Sequence, residues 1–265
     1  MTDEPMVWHY GLMAERWAEF INDAREVPFF LQAIARYGQP VLDVACGTGR
    51  VLLPLLRAGV DVDGNDISAD MLAHCRRKAA SEGFDPHLYN QPMHELELGR
   101  SYKTIYICDS FGLGGSQEKD LECLKRCYAH LEVGGALVLN IEAEYTSPGA
   151  WHLWLKEKRD TLPEPWPEKG EGQVAADGSE HFGQFRLLDF DPLEQLITQQ
   201  VHLEKWMDGR LVASEEYTLR GMIYFKNELR LMLKMAGFRE IVMCGDYTDD
   251  PATAEHANLV FIAIR

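Results

Sequence analysis

Asp43, Gly47, Gly49 and Asp66 are the residues of this 265-residue chain whose types and spacing point most directly to chemistry. The first three lie in the stretch VLDVACGTGR, residues 41–50, where an apolar segment runs through Asp43 into a glycine-rich turn. Glycine has no Cβ, so such a turn can bend tightly and lie against a ligand. A helix that starts directly after it offers unpaired N–H groups to a polar or anionic ligand. A second apolar segment, VDVDGND, ends on Asp66. An acid about twenty residues beyond a glycine turn is placed to accept hydrogen bonds from both hydroxyls of a ribose. These residues are therefore suited to holding a nucleoside-containing cofactor.

What the turn lacks narrows the cofactor. A dinucleotide fingerprint, G-x-G-x-x-G, needs a third glycine where this chain has Leu52, and no G-x-x-x-x-G-K-[ST] phosphate loop occurs. The run D-x-A-C-G-T-G-R instead resembles motif I of the class I S-adenosylmethionine-dependent methyltransferases. The resemblance continues, in family order, through GNDISADML (64–72), LEVGGALVLNIE (131–142) and MAGF (235–238), and covers most of the chain. It implies S-adenosyl-L-methionine as cofactor and transfer of its methyl group to nitrogen or oxygen of an acceptor. In layout the chain is most similar to small-molecule and natural-product methyltransferases, including amino-sugar N-methyltransferases. A methyltransferase acting on protein or RNA, and a non-catalytic S-adenosylmethionine-binding protein, are the competing readings.

The resemblance also assigns residues. Asp43 is expected to organise the turn, and the backbone at Ala45, Gly47, Thr48 and Gly49 to approach the methionine part of the cofactor. Asp66 is expected to hold the ribose, with Ile67 and Met71 against the adenine. The acid that the family commonly places after the third strand is missing from Asn90-Gln91-Pro92-Met93; either Gln91 and Met93 contact the adenine, or this is a plain loop. The fourth strand ends in ICDSFG, residues 107–112, without the N-P-P-Y or D-P-P-Y of enzymes that methylate planar nitrogens. Cys108 and Asp109 are cofactor candidates there, and Asp109 and Ser110 candidates for substrate contact. GLGG (112–115) reads as a phosphate cradle or as a flexible loop.

Methyl transfer from a sulfonium depends mainly on positioning, so proton-accepting residues are harder to name. Glu142, Tyr10 and His94 are the catalytic candidates, with His9, Glu144, Tyr145 and His152 beside them; a carboxylate at the mouth of the cleft can orient an amine or take its proton. Arg16 either pairs with the cofactor carboxylate or lies on a solvated helix face. Trp151, Trp154 and Trp166 either line a substrate pocket or attach the insertion to the core.

The elements that must position these residues alternate between strand and helix from residue 39 onward. Such alternation predicts an α/β fold with a doubly wound, mostly parallel sheet, and ligands bind beyond the carboxyl ends of its strands. The family resemblance makes the sheet seven-stranded. Residues 1–38 read as an aromatic-rich helical cap. Residues 39–159 and 221–265 read as the Rossmann-like core, and 160–220 as an antiparallel β insertion covering the substrate side. Asp208-Gly209 is a strong hairpin turn within it.

Composition sets the outer bounds. Forty-two acidic against 26 basic residues give a formal net charge of −16, unfavourable for a nucleic-acid backbone or an anionic membrane as main partner. No apolar run approaches the roughly 20 residues of a membrane span, and MTDEPMVWHY has no signal-peptide pattern. A cytoplasmic protein with a small-molecule acceptor is the expectation. Six scattered cysteines read as reduced thiols without a metal. Exposed strand edges of the insertion would allow a homodimer.

Overall fold

Strands without a polar face need cover on both sides. In the computed structural model, which describes residues 9–146 and 151–265, β1 (Val41–Val44) and β2 (Val62–Asp66) are buried along their whole length. Residues 1–8 of the predicted cap and residues 147–150 lie outside the described residues. β3 (Leu88–Asn90), β4 (Tyr102–Ile107) and β5 (Leu131–Glu142) complete a parallel set with β1 and β2. A four-stranded sheet comprises β6 (Gln173–Val174), β7 (Glu180–Asp191), β8 (Leu196–Met207) and β9 (Arg210–Met222). β10 (Glu240–Gly245) and β11 (Asn258–Ile264) return to the first sheet, whose order is β10-β11-β5-β4-β1-β2-β3. β11 runs antiparallel to both neighbours. The strand order reverses beside β1, and this opens a crevice at the carboxyl ends of β1 and β4.

The helices are α1 (Gly11–Phe20), α2 (Val27–Tyr37), α3 (Leu52–Arg57), α4 (Ala69–Ser81), α5 (Gln117–His130), the single turn α6 (Lys156–Arg159) and α7 (Lys226–Ala236). Alternate strand residues face opposite sides, and the core divides accordingly. Tyr106, Val138 and Ile262 pack with Phe30, Leu52, Leu55 and Leu72 on one side. Ile105, Ile107, Leu137 and Leu139 pack with Leu124, Leu229 and Leu233 on the other. Among the described residues no helix is long and apolar enough to cross a membrane.

Local signals explain most boundaries. Ser68 caps α4 by accepting the Met71 N–H at 3.2 Å, and Pro54 is only the third residue of α3, where it removes no intrahelical donor. The third strand is short, Leu88–Asn90, and β5 begins at Leu131, before the Glu132–Gly135 segment. A register shift between Tyr102 and Thr104 opposite this segment lets it pair despite the turn-like Gly134.

The second sheet is antiparallel throughout, with Asp208 and Gly209 both at positive φ in the β8–β9 turn. α1 joins it to the core. Leu12 and Met13 bury against Val201 and Leu203, while the Gly11 N–H donates to Asp70 of α4 at 2.8 Å. Trp154 packs on Phe190 and Phe225, with ring centres 5.0 and 5.5 Å apart, and Trp166 stacks on Arg186. Trp154 therefore attaches the insertion to the core, whereas Trp166 packs within the insertion, against Arg186 and His202.

Candidate active site

A cavity of about 830 Å³ lies at the carboxyl ends of β1, β2 and β4. Asp66 organises its floor. The buried carboxylate accepts the Gly47 N–H at 2.9 Å through one oxygen and the Ser68 N–H at 2.8 Å through the other. Burial pushes this carboxyl up, and the two amide bonds pull it back. Each oxygen keeps a lone pair, as two ribose hydroxyls would require.

The turn itself is bent at Ala45, Gly47 and Gly49, whose φ values are +61°, +55° and +87°. The two glycines differ in purpose. A Cβ on Gly47 would meet only Met71 Cε at 3.8 Å, whereas one on Gly49 would press on Cys75 Sγ at 2.9 Å. Gly49 thus serves the packing of α4 against the turn and does not reach the cavity. Asp43, beneath the turn, is buried; burial first, and the nearby Asp66 charge among lesser influences, push its carboxyl up to about 8. It therefore holds its proton at neutral pH.

Arg50 ties the turn to the next strand. Its guanidinium pairs with the buried Glu26 and donates to the Asp23 carbonyl at 2.9 Å and to Asp109 at 2.9 Å. Asn140 donates to Asp109 at 2.7 Å and receives its backbone N–H at 2.9 Å, and the Tyr247 hydroxyl adds a bond at 3.1 Å. Three side chains from distant parts of the chain, Arg50, Asn140 and Tyr247, hold Asp109 at the strained φ of +54°. Burial pushes the adjacent Cys108 thiol well above the ordinary range, so it is no thiolate.

The rest of the wall includes His94, Ser110, Leu113, Gly114, Lys119 and Arg220. Burial, and then the Lys119 charge, hold the His94 imidazole below its usual range, so it is neutral and able to take a proton at pH 7. His9 also lines the cavity, lowered to about 4 by burial, and its ring lies 6.0 Å from that of Trp17.

Of the expected residues, Asp43, Ala45, Gly47, Thr48, Asp66, Ile67, Met71, Met93, Cys108, Asp109 and His94 line this one cavity. Gly49, Gln91, Tyr10 and Glu142 do not. The Gln91 amide is engaged by the Glu97 backbone, accepting its N–H at 3.0 Å, so the plain-loop alternative describes it. Tyr10 leads into α1, its carbonyl accepting the Met13 N–H, and burial together with Asp66 and Asp70 raises its phenol, making it a poor base. Glu142 is exposed at the end of β5, opposite Asn258. Arg16 sits over the Phe20 ring, beside the insertion. Arg50, Glu26, Asn140, Tyr247, Lys119 and Arg220 were given no role from sequence. Only Asn140 carried a signal there, as an amide within the apolar run ALVLNIE.

These residues fit S-adenosylmethionine. Asp66 would hold the ribose, Ile67, Met71 and Met93 the adenine, and the backbone from Ala45 to Thr48 the methionine part. The Thr48 hydroxyl is buried with no hydrogen-bond partner among the described residues, a vacancy that a ligand or water commonly completes.

Comparison with known proteins agrees with this geometry. Residues 41–135 match the model of a family described as a methyltransferase domain. A protein of Geobacillus sp. (strain WCH70), provisionally named a methyltransferase, is 30% identical over 52% of this chain and 56% of its own length. The dTDP-3-amino-3,6-dideoxy-alpha-D-glucopyranose N,N-dimethyltransferase of Streptomyces fradiae is 36% identical over 41% of this chain and 43% of its own. The chain thus spans about half the length of these curated relatives. The crystal structure of an S-adenosylmethionine-dependent methyltransferase from Clostridium acetobutylicum ATCC 824 superimposes with a TM-score of 0.72 at 18% identity, covering 96% of this chain and 97% of that one.

Proposed function

We propose that this chain, which belongs to the class I S-adenosylmethionine-dependent methyltransferases, moves a methyl group to nitrogen or oxygen of a small-molecule acceptor by in-line displacement. The observation that carries this reading is the size and lining of the cavity. Asp66 and the glycine turn are there for the donor, and the lining extends beyond them to Ser110, His94 and Arg220. Its volume of about 830 Å³ lies in the upper part of the range of small-molecule sites.

When bound, S-adenosylmethionine supplies an already activated methyl group, so the protein's task is to place the acceptor and remove its proton. His94 is the candidate proton acceptor, neutral and on the acceptor side of the cavity. Residues 160–220 cover that side through Arg220, which reaches the wall from β9. The named amino-sugar relative supports an amine as the accepting group, and the net charge of −16 disfavours RNA.

The test is incubation with S-adenosylmethionine labelled in its methyl group and a cell extract, followed by separation of small molecules, protein and RNA. Label in the small-molecule fraction is expected. Label confined to protein or RNA would overturn the acceptor class, and failure of S-adenosylmethionine to bind would overturn the whole reading.

A further inference from the structure

The charged side chains on the cavity wall come from separate elements. Its carboxylic acids, Asp43, Asp66 and Asp109, lie on or just beyond β1, β2 and β4; Asp43 holds its proton and Asp109 is paired with Arg50, which leaves Asp66. At the far rim stand two cations from separate elements, Lys119 on α5 and Arg220 on β9. The third cation on the wall, Arg50, is consumed by Glu26 and Asp109. Lys119 and Arg220 differ: among the described residues neither forms an ion pair, in a protein with 42 acids. Of the two acids that flank Lys119, Asp120 is buried and turned to the Tyr224 hydroxyl at 2.7 Å, and the exposed Glu118 forms no ion pair among the described residues.

Their placement is built into the fold. Ser116 caps α5 by accepting the Lys119 N–H at 3.3 Å, which sets Lys119 in the first turn. The Met222 N–H donates to the Gly112 carbonyl at 2.8 Å, which brings the end of β9, and Arg220 with it, to the loop that follows β4. That loop carries the GLGG run, and Leu113, Gly114 and Gly115 form part of the cavity wall between the two cations' elements. His94 is close enough to feel the Lys119 charge.

We infer that the acceptor carries an oxyanion, a phosphate or a carboxylate, that seats against Lys119 and Arg220 while its nucleophilic atom points to the donor end. This rests on the methyltransferase reading and specifies its substrate class. The physical reason is charge balance. A protein of net charge −16 repels anions at long range, so an anionic substrate needs local cations. Among the described residues no acid pairs with either cation, so both are open to an anionic group on the acceptor. Arginine offers a planar fork that matches phosphate or carboxylate, and lysine a compact point charge.

The experiment uses the full chain saturated with S-adenosylhomocysteine, titrated with inorganic phosphate and, separately, with acetate by NMR chemical shifts. The wild type is compared with the double variant Lys119→Glu/Arg220→Glu. Both positions are exposed, so the fold is expected to persist. At least one oxyanion is expected to bind the wild type and to bind the variant roughly tenfold more weakly or worse, as for loss of hydrogen bonds to charged groups. S-adenosylhomocysteine affinity is expected to change less than about twofold, since neither side chain is assigned to the donor end. Tighter binding of phosphate or of acetate identifies the group. No oxyanion binding by the wild type, or equal binding by wild type and variant, overturns the inference while leaving the methyltransferase reading intact. Failure of S-adenosylhomocysteine to bind would instead overturn that underlying reading.

Discussion

Arg50 donates to Asp109 across 2.9 Å and so joins the glycine turn to the loop that begins the acceptor side of the cavity. The same guanidinium neutralises Glu26, a carboxylate only 4% exposed. The glycine turn and the loop after β4 therefore share one cation.

Replacing that cation should be costly. Arg50→Met leaves Glu26 buried and unpaired, and a loss of roughly 3–5 kcal/mol is expected. The double variant Glu26→Gln/Arg50→Met should recover part of it. Urea denaturation of the three proteins checks this, and additive losses would show that the pair is not coupled.

Asp66→Ala removes the acceptor of two amide N–H groups and the expected ribose contact. Affinity for S-adenosylhomocysteine should fall by roughly 1–3 kcal/mol, or about 5- to 150-fold. Calorimetry measures it directly. An unchanged dissociation constant in a folded variant would remove Asp66 from the cofactor site.

For His94, burial and the Lys119 charge place the imidazole below the ordinary value of about 6.5. As a base it acts deprotonated, so activity should decline on the acid side only below that value. His94→Gln should lower kcat by about a hundredfold, the low end for a general base, and abolish that limb. A pH–rate profile that is the same in both proteins would contradict the assignment.

Asp43 gives a pH dependence of stability rather than of rate. Its folded carboxyl titrates near 8, against about 3.9 in an unfolded chain. Between these values the folded state holds a proton that the unfolded state releases, so stability falls as pH rises from about 4 to about 8. Asp43→Asn should flatten this decline. Thermal midpoints across the window test it, and parallel slopes for wild type and variant would exclude Asp43 as the source.

The donor end of the cavity was far more legible in the sequence than the acceptor end. Ala45, Gly47, Asp66, Ile67 and Met71 sit in two short segments, each directly after a strand, so local order alone brings them together. The Arg50 network draws Glu26 from the cap of α2, Asp109 from just beyond β4, Asn140 from β5 and Tyr247 from beyond β10, a meeting that depends on strand order. Gly49 illustrates a different limit. Its pattern matches the motif, yet its space is taken by Cys75 and Leu53, which sequence spacing does not reveal. Glu142 failed for a similar reason, since being near the end of a central strand does not say which way the last residue turns. Lys119 and Arg220 carried no local signal, because a charged residue at a helix start or strand end is ordinary on a solvated surface.

The hydrogen bond from Met222 to Gly112 has a consequence for engineering this protein. Gly112 has a φ of +97°, and a Cβ there would lie 2.6 Å from the Met222 carbonyl oxygen. The end of the insertion and the loop beneath it are thus a matched pair. A chimera that borrows residues 160–222 from a relative is expected to keep Arg220's position only if the donor's loop at 110–115 travels with it. The two segments are one unit for exchange.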